Sequence, residues 1–162
     1  MFSSPLLRLA EVVVADARQA RLRIATAESC TGGLIGALLT EIPGSSDVFD
    51  RGFIVYTNRS KQDLLNIPGD LVADMGEVSE AVARMMAEGA IENSNAQLAV
   101  AVTGIAGPGG GTTMKPVGLV HVAAARENRS ILHEAHRFGD IGRTEVRLKT
   151  VEAALTLLHR LI

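Results

Sequence analysis

The chain has no Trp, one Tyr and four Phe among its 162 residues. Proteins that hold single-stranded nucleic acid stack bases on aromatic side chains, so so few rings argue against such a surface. Basic residues number 16 against 18 acidic ones, with no run of Lys or Arg. A nucleic-acid face shows itself as a basic patch, so no nucleic-acid partner is expected. There is a single cysteine, Cys30. It excludes a disulfide framework within the chain and fits a reducing compartment. The start, Met1–Leu9, has no basic opening, and Arg8 and Glu11 interrupt its apolar residues, so a signal peptide is not expected. No apolar stretch reaches the roughly 18–20 residues of a membrane span. The four histidines, His121, His133, His136 and His159, have no metal-binding spacing such as HExxH. These absences leave a cytoplasmic protein with no membrane association, no metal and no cofactor as the expectation.

What is present is a chain with 47% apolar residues, long enough for one good core and short enough to be one domain, residues 1–162. Apolar spacing predicts helices over Pro5–Ala20, Thr31–Glu41, Arg59–Leu65, Asp70–Met75, Ser79–Asn93 and Ile141–Leu161. Strands are predicted over Leu22–Ala27, Phe49–Thr57, Gln97–Thr103, Val117–Ala125 and Ser130–Phe138. Gln97–Thr103 is almost wholly apolar, as a strand buried on both faces must be, which places it centrally. Arg126–Arg129 is short enough for a hairpin. The expected fold is α/β: a three-layer α/β/α sandwich around a mixed, mostly parallel sheet of about five strands, with an antiparallel hairpin near the C-terminus.

Three clusters carry the candidate chemistry. Ala27-Glu28-Ser29-Cys30-Thr31-Gly32-Gly33 reads as a strand end running into a helix start, where free N–H groups and the helix dipole favour an anion or an oxyanion. Ser29 is there as a candidate nucleophile or as a plain helix cap. Cys30 is a rival nucleophile or a small buried hydrophobe. In Tyr56-Thr57-Asn58-Arg59-Ser60-Lys61, Lys61 is a candidate base if it is shielded from water, and otherwise a solvated helix residue. Thr103-Gly104-Ile105-Ala106-Gly107-Pro108-Gly109-Gly110-Gly111-Thr112-Thr113 lets backbone approach a ligand closely, but it lacks the Walker and GxGxxG patterns. Arg143 and Arg147, four apart, suit either a phosphate or a solvated helix face. Two of these glycine-rich turns leave strand ends, which is where ligands bind in open α/β sheets.

Together with Pro43-Gly44-Ser45-Ser46 and Lys115-Pro116-Val117-Gly118, these blocks resemble the C-terminal domain of the competence/damage-inducible CinA family, which includes stand-alone nicotinamide-nucleotide amidases. The matches follow the family's order over nearly the whole chain. The resemblance implies a metal-free serine amidase that converts nicotinamide mononucleotide to nicotinate mononucleotide and ammonia. Carried over, Ser29 is the nucleophile and Lys61 its general base, with Tyr56 and Thr103 completing the polar network. Cys30, Thr31, Gly32 and Gly33 are then expected around the oxyanion, and Gly107, Gly109, Gly110 and Arg143 around the substrate phosphate. Longer relatives carry an N-terminal domain resembling molybdopterin-binding proteins, so its associated pyrophosphatase activity is not expected of these residues. The competing readings are a non-enzymatic competence or DNA-damage partner, and a nucleotide sensor without turnover. A homo-oligomer is expected, with a dimer as the first guess.

Overall fold

The computed structural model describes residues Met1–Ile162. Five strands form one sheet: β1 (Ile24–Glu28), β2 (Phe49–Ile54), β3 (Leu98–Gly104), β4 (Leu119–Arg126) and β5 (Leu132–Arg137). Their spatial order is β2-β1-β3-β4-β5, so β3 is the central strand, as its apolar run predicts. β1 runs parallel to both β2 and β3, whereas the β3–β4 and β4–β5 pairs are antiparallel. The sheet is therefore mixed as expected: four strands run one way and β4 alone runs the other. The cause is the loop after β3. It returns the chain beside its own strand without a crossover helix, and only an antiparallel neighbour can be reached that way.

Six helices cover the sheet: α1 (Ser4–Gln19), α2 (Leu34–Thr40), α3 (Asn58–Leu65), α4 (Gly69–Met75), α5 (Glu80–Glu92) and α6 (Arg143–His159). The alternation of side chains along β3 divides the interior in two. Leu98, Val100 and Val102 point into a core shared with α1, α2 and α6. Ala99 and Ala101 point to the other face, where Ala25, Ala27, Ala123 and Ala125 continue a floor of small residues under α5. Val82, Met86 and Ala90 of α5 pack onto that floor and are fully buried. Burying each larger apolar side chain contributes about 1.5–3 kcal/mol.

One expected boundary shifts in a way that matters for function. The second helix begins at Leu34, not at Thr31. Gly32 and Gly33 have φ of +59° and +101°, outside the right-handed helical region and suited to residues without a Cβ. Residues 30–33 are therefore a turn between β1 and α2.

Candidate active site

Ser29 directly follows β1 and is buried at the carboxyl end of the parallel strands. Its N–H donates to the Val102 carbonyl of β3 at 3.2 Å, and its own carbonyl accepts the Gly32 N–H at 3.1 Å. The turn is held from α6 as well: Arg147 Nε and Nη2 donate to the carbonyls of Cys30 and Thr31, each at 3.0 Å. Arg147 thus clamps the turn.

Lys61 reaches the same point from the opposite side. Thr57 caps α3, its hydroxyl accepting the Ser60 N–H at 3.2 Å while Ser60 Oγ accepts the Thr57 N–H at 3.2 Å. This reciprocal cap fixes the first turn, and Lys61 lies on it, facing inward. Its side chain is 0% exposed, an unusual place for a lysine. Lys61 Nζ lies 3.3 Å from Ser29 Oγ and 3.5 Å from the Tyr56 carbonyl oxygen. Burial strips water from the ammonium and pushes the Lys61 pKa below its ordinary 10.5, against the opposing pull of Glu77 and of Cys30. A neutral amine within reach of a serine hydroxyl can take its proton.

Cys30 has the opposite character. Burial raises its thiol to about 12, so it is a thiol at any ordinary pH and a poor nucleophile.

A cleft of about 610 Å³, open to solvent, lies over Ser29 and is lined by Cys30, Tyr56, Glu77, Thr103, Gly107 and Arg143 among others. Gly109 and Gly110 also line it. Ala106, Gly107, Gly109 and Gly110 carry N–H groups that no backbone carbonyl takes up. Arg143 spans one wall, donating to the Gly107 carbonyl at 2.7 Å and to the Tyr56 hydroxyl at 2.9 Å.

Several expected roles are corrected. Thr31, Gly32 and Gly33 do not line the cleft. The Thr31 hydroxyl donates to the Glu28 carboxylate at 2.7 Å, and the Gly32 Cα faces Arg147. The start of α2 is not open to a ligand either, because Glu28 already occupies it: its carboxylate accepts the N–H groups of Ile35 and Gly36 at 2.9 and 3.0 Å. The Tyr56 side chain meets Arg143, and only its carbonyl meets Lys61. The Thr103 hydroxyl donates to the Glu77 carbonyl at 2.7 Å, so it fastens the α4–α5 connection instead of joining Ser29 and Lys61.

Glu77 carries no signal in the sequence. It lies between two helices with no motif around it, and only the tertiary fold carries it to the cleft. On the hairpin, His121 Nδ1 and His133 Nε2 do approach, at 2.9 Å, but no group of three His, Cys, Asp or Glu gathers to hold a metal.

With this geometry in hand, comparison with known proteins gives one family. The model of the CinA C-terminal domain matches residues 6–162. The chain belongs to that family. A CinA-like protein of Synechococcus sp. (strain RCC307) is 52% identical over 93% of the chain, which corresponds to 36% of that protein. The chain spans a little over a third of the length of the curated relatives it matches. A solved competence/damage inducible protein, CihA from Agrobacterium tumefaciens, superposes with a TM-score of 0.98 at 52% identity, covering 99% of this chain and 98% of that one. A CinA-superfamily protein from Escherichia coli superposes with a TM-score of 0.92 at 29% identity, covering 100% of this chain and 94% of the other. In this chain Ser29, Lys61 and the glycine-rich loop meet at one sheet end. No helix is long and apolar enough to cross a membrane.

Proposed function

We propose that this CinA domain is an amidohydrolase that cleaves the carboxamide of nicotinamide mononucleotide, giving nicotinate mononucleotide and ammonia. The observation that carries the reading is the 3.3 Å approach of a fully buried Lys61 amine to the Ser29 hydroxyl. A lysine is kept out of water at a cost in stability, and beside a serine that cost has a chemical use.

Ser29 Oγ attacks the carboxamide carbon as Lys61 Nζ takes the hydroxyl proton. The carbonyl oxygen becomes an oxyanion. The Cys30 N–H, which no backbone carbonyl takes up and whose residue lines the cleft, is the donor nearest in sequence to the nucleophile. Protonated Lys61 passes its proton to the leaving nitrogen, and ammonia departs from the acyl-serine. Water, deprotonated by the again neutral Lys61, then attacks the ester and frees the carboxylate and Ser29. The substrate phosphate is assigned to Arg143 and the free N–H groups of Gly107, Gly109 and Gly110 on the opposite wall.

Ammonia release from nicotinamide mononucleotide by purified protein tests the reading, with Ser29→Ala beside it. Release that disappears in Ser29→Ala supports a serine amidase. Full activity in Ser29→Ala removes the nucleophile assignment, and no release by the wild type leaves a binding module.

A further inference from the structure

The segment from Met75 to Glu77 is held in an unusual way. Three successive backbone carbonyls each accept a hydrogen bond from a side chain, two of them from distant stretches of chain. Lys115 Nζ donates to the Met75 carbonyl at 3.0 Å, Ser79 Oγ to that of Gly76 at 2.9 Å, and Thr103 Oγ1 to that of Glu77 at 2.7 Å. Thr103 and Ser79 are themselves buried. The backbone of Glu77 is therefore fixed against the end of the central strand, while its exposed side chain makes no hydrogen bond or ion pair within the protein.

That side chain is the only acid lining the cleft over Ser29, where Arg143 is the only cationic residue in the lining. In the adjoining lobe, between Asn58, Gly76 and Thr112, Glu77 is again the only acid and Lys115 the only base. The two lobes thus share one free carboxylate, with one cationic side chain lining each. An anionic ligand alone would be repelled by the first, and a cationic ligand alone by the second. The pattern complements a ligand that carries charges of both signs.

We infer that Glu77 is a specificity-determining residue, whose carboxylate is the counter-charge for a cationic heteroaromatic ring that delivers its carboxamide to Ser29. The inference rests on the amidase reading and assigns to Glu77 its preference for a charged ring. Uncharged-ring amides of the same shape are disfavoured.

The charge of Glu77 also acts on Lys61. Glu77 raises the Lys61 pKa and so favours the ammonium, the wrong form for a base. Once a cationic ring lies against the Glu77 carboxylate, its pull on Lys61 is offset, and the neutral amine is favoured when substrate is bound.

The test uses two ligands with the same carboxamide, ribose and phosphate: nicotinamide mononucleotide, whose ring is cationic, and the benzamide C-ribonucleotide, whose ring is neutral. Binding of both is measured by calorimetry to Ser29→Ala protein with Glu77 and with Glu77→Gln, so that turnover is not required. Glu77→Gln is expected to weaken the cationic ligand about five- to tenfold and the neutral ligand less than twofold. In protein retaining Ser29, Glu77→Gln should raise KM for nicotinamide mononucleotide more than it lowers kcat, and should move the acid limb of activity to lower pH. Glu77→Asp should recover part of the preference for the charged ring. Equal weakening of both ligands, with unchanged thermal stability, overturns the inference and leaves the amidase reading standing. If both ligands bind with the predicted contrast but wild-type protein releases no ammonia, the amidase reading fails while the charge selection holds. Absence of binding by either ligand overturns both.

Discussion

The carboxylate of Glu28 accepts the backbone N–H of Ile35 at 2.9 Å. Seven residues separate the two, yet this contact sets the position of Ser29. Glu28 is 1% exposed, and its two oxygens accept from the hydroxyls of Thr26 and Thr31 and the N–H groups of Ile35 and Gly36. The carboxylate thus fills the positive end of α2 and ties the strand end to the helix start across the Ser29 turn. Glu28→Gln places an amide nitrogen where only acceptors are wanted. It should lose about 2–4 kcal/mol in urea denaturation and lower kcat as the turn relaxes. Unchanged stability would show that this carboxylate is dispensable.

Lys61→Met should separate stability from activity. Met keeps the length of the chain and removes the charge. For Lys61 the folded pKa lies below the unfolded 10.5. Between those two values the unfolded chain holds more protons, so wild-type stability rises with pH across that window. Below it the full penalty of burying the ammonium is present. Lys61→Met should therefore be inactive and, at pH 7, more stable than wild type by about 1 kcal/mol. The gain should shrink as pH approaches 10.5. Thermal melts at pH 7 and pH 10 measure it, and a gain that grows with pH would contradict the sign.

The same shift sets the pH dependence of turnover. Only the neutral amine accepts the serine proton, so kcat/KM should climb with pH through the lowered Lys61 pKa and level off before the range of a free lysine. A rate profile flat from pH 6 to 10 would remove Lys61 as the base.

Much of this arrangement is legible in the sequence, and the parts that are not have physical reasons. The apolar run Leu98–Val102 can only be a strand covered on both faces, and it is the central strand. The Ser29 and Lys61 blocks are visible because serine at a strand end and lysine one turn into a helix are local patterns. The first turn of α2 was misplaced because a helical pattern counts side chains, whereas Gly32 and Gly33 depart through their backbone angles. The Thr103 hydroxyl and the Tyr56 ring could not be oriented, because their partners, Glu77 and Arg143, are 26 and 87 residues away. Arg143 and Arg147 looked alike on one helix face. Only the docking of α6 distinguishes the one at the cleft from the one behind the turn.

Cys30 stands next to the nucleophile, and its thiol, pushed up to about 12 by burial, should be inert. Cys30→Ala should retain most activity, since the N–H used in the reaction belongs to the backbone. Iodoacetamide at pH 8 should label the folded protein only as fast as it opens. Rapid labelling that tracks loss of activity would return the nucleophile assignment to the thiol.

Arg147 offers the sharpest test of positioning at a distance. Its Nε and Nη2 hold two successive carbonyls of the turn, those of Cys30 and Thr31, and it does not line the cleft. Truncation should leave substrate binding nearly intact while Ser29 loses its fixed approach to Lys61. Arg147→Ala is therefore expected to lower kcat by about tenfold to a hundredfold with less than a threefold change in KM. Arg147→Lys should rescue little, because a single ammonium cannot reproduce the planar pair of donors. A phosphate ligand would behave otherwise: its loss would raise KM first, and lysine would restore much of the affinity. Steady-state kinetics on these two variants, set beside Arg143→Ala, which should raise KM, distinguish a clamp on the nucleophile turn from a contact with substrate.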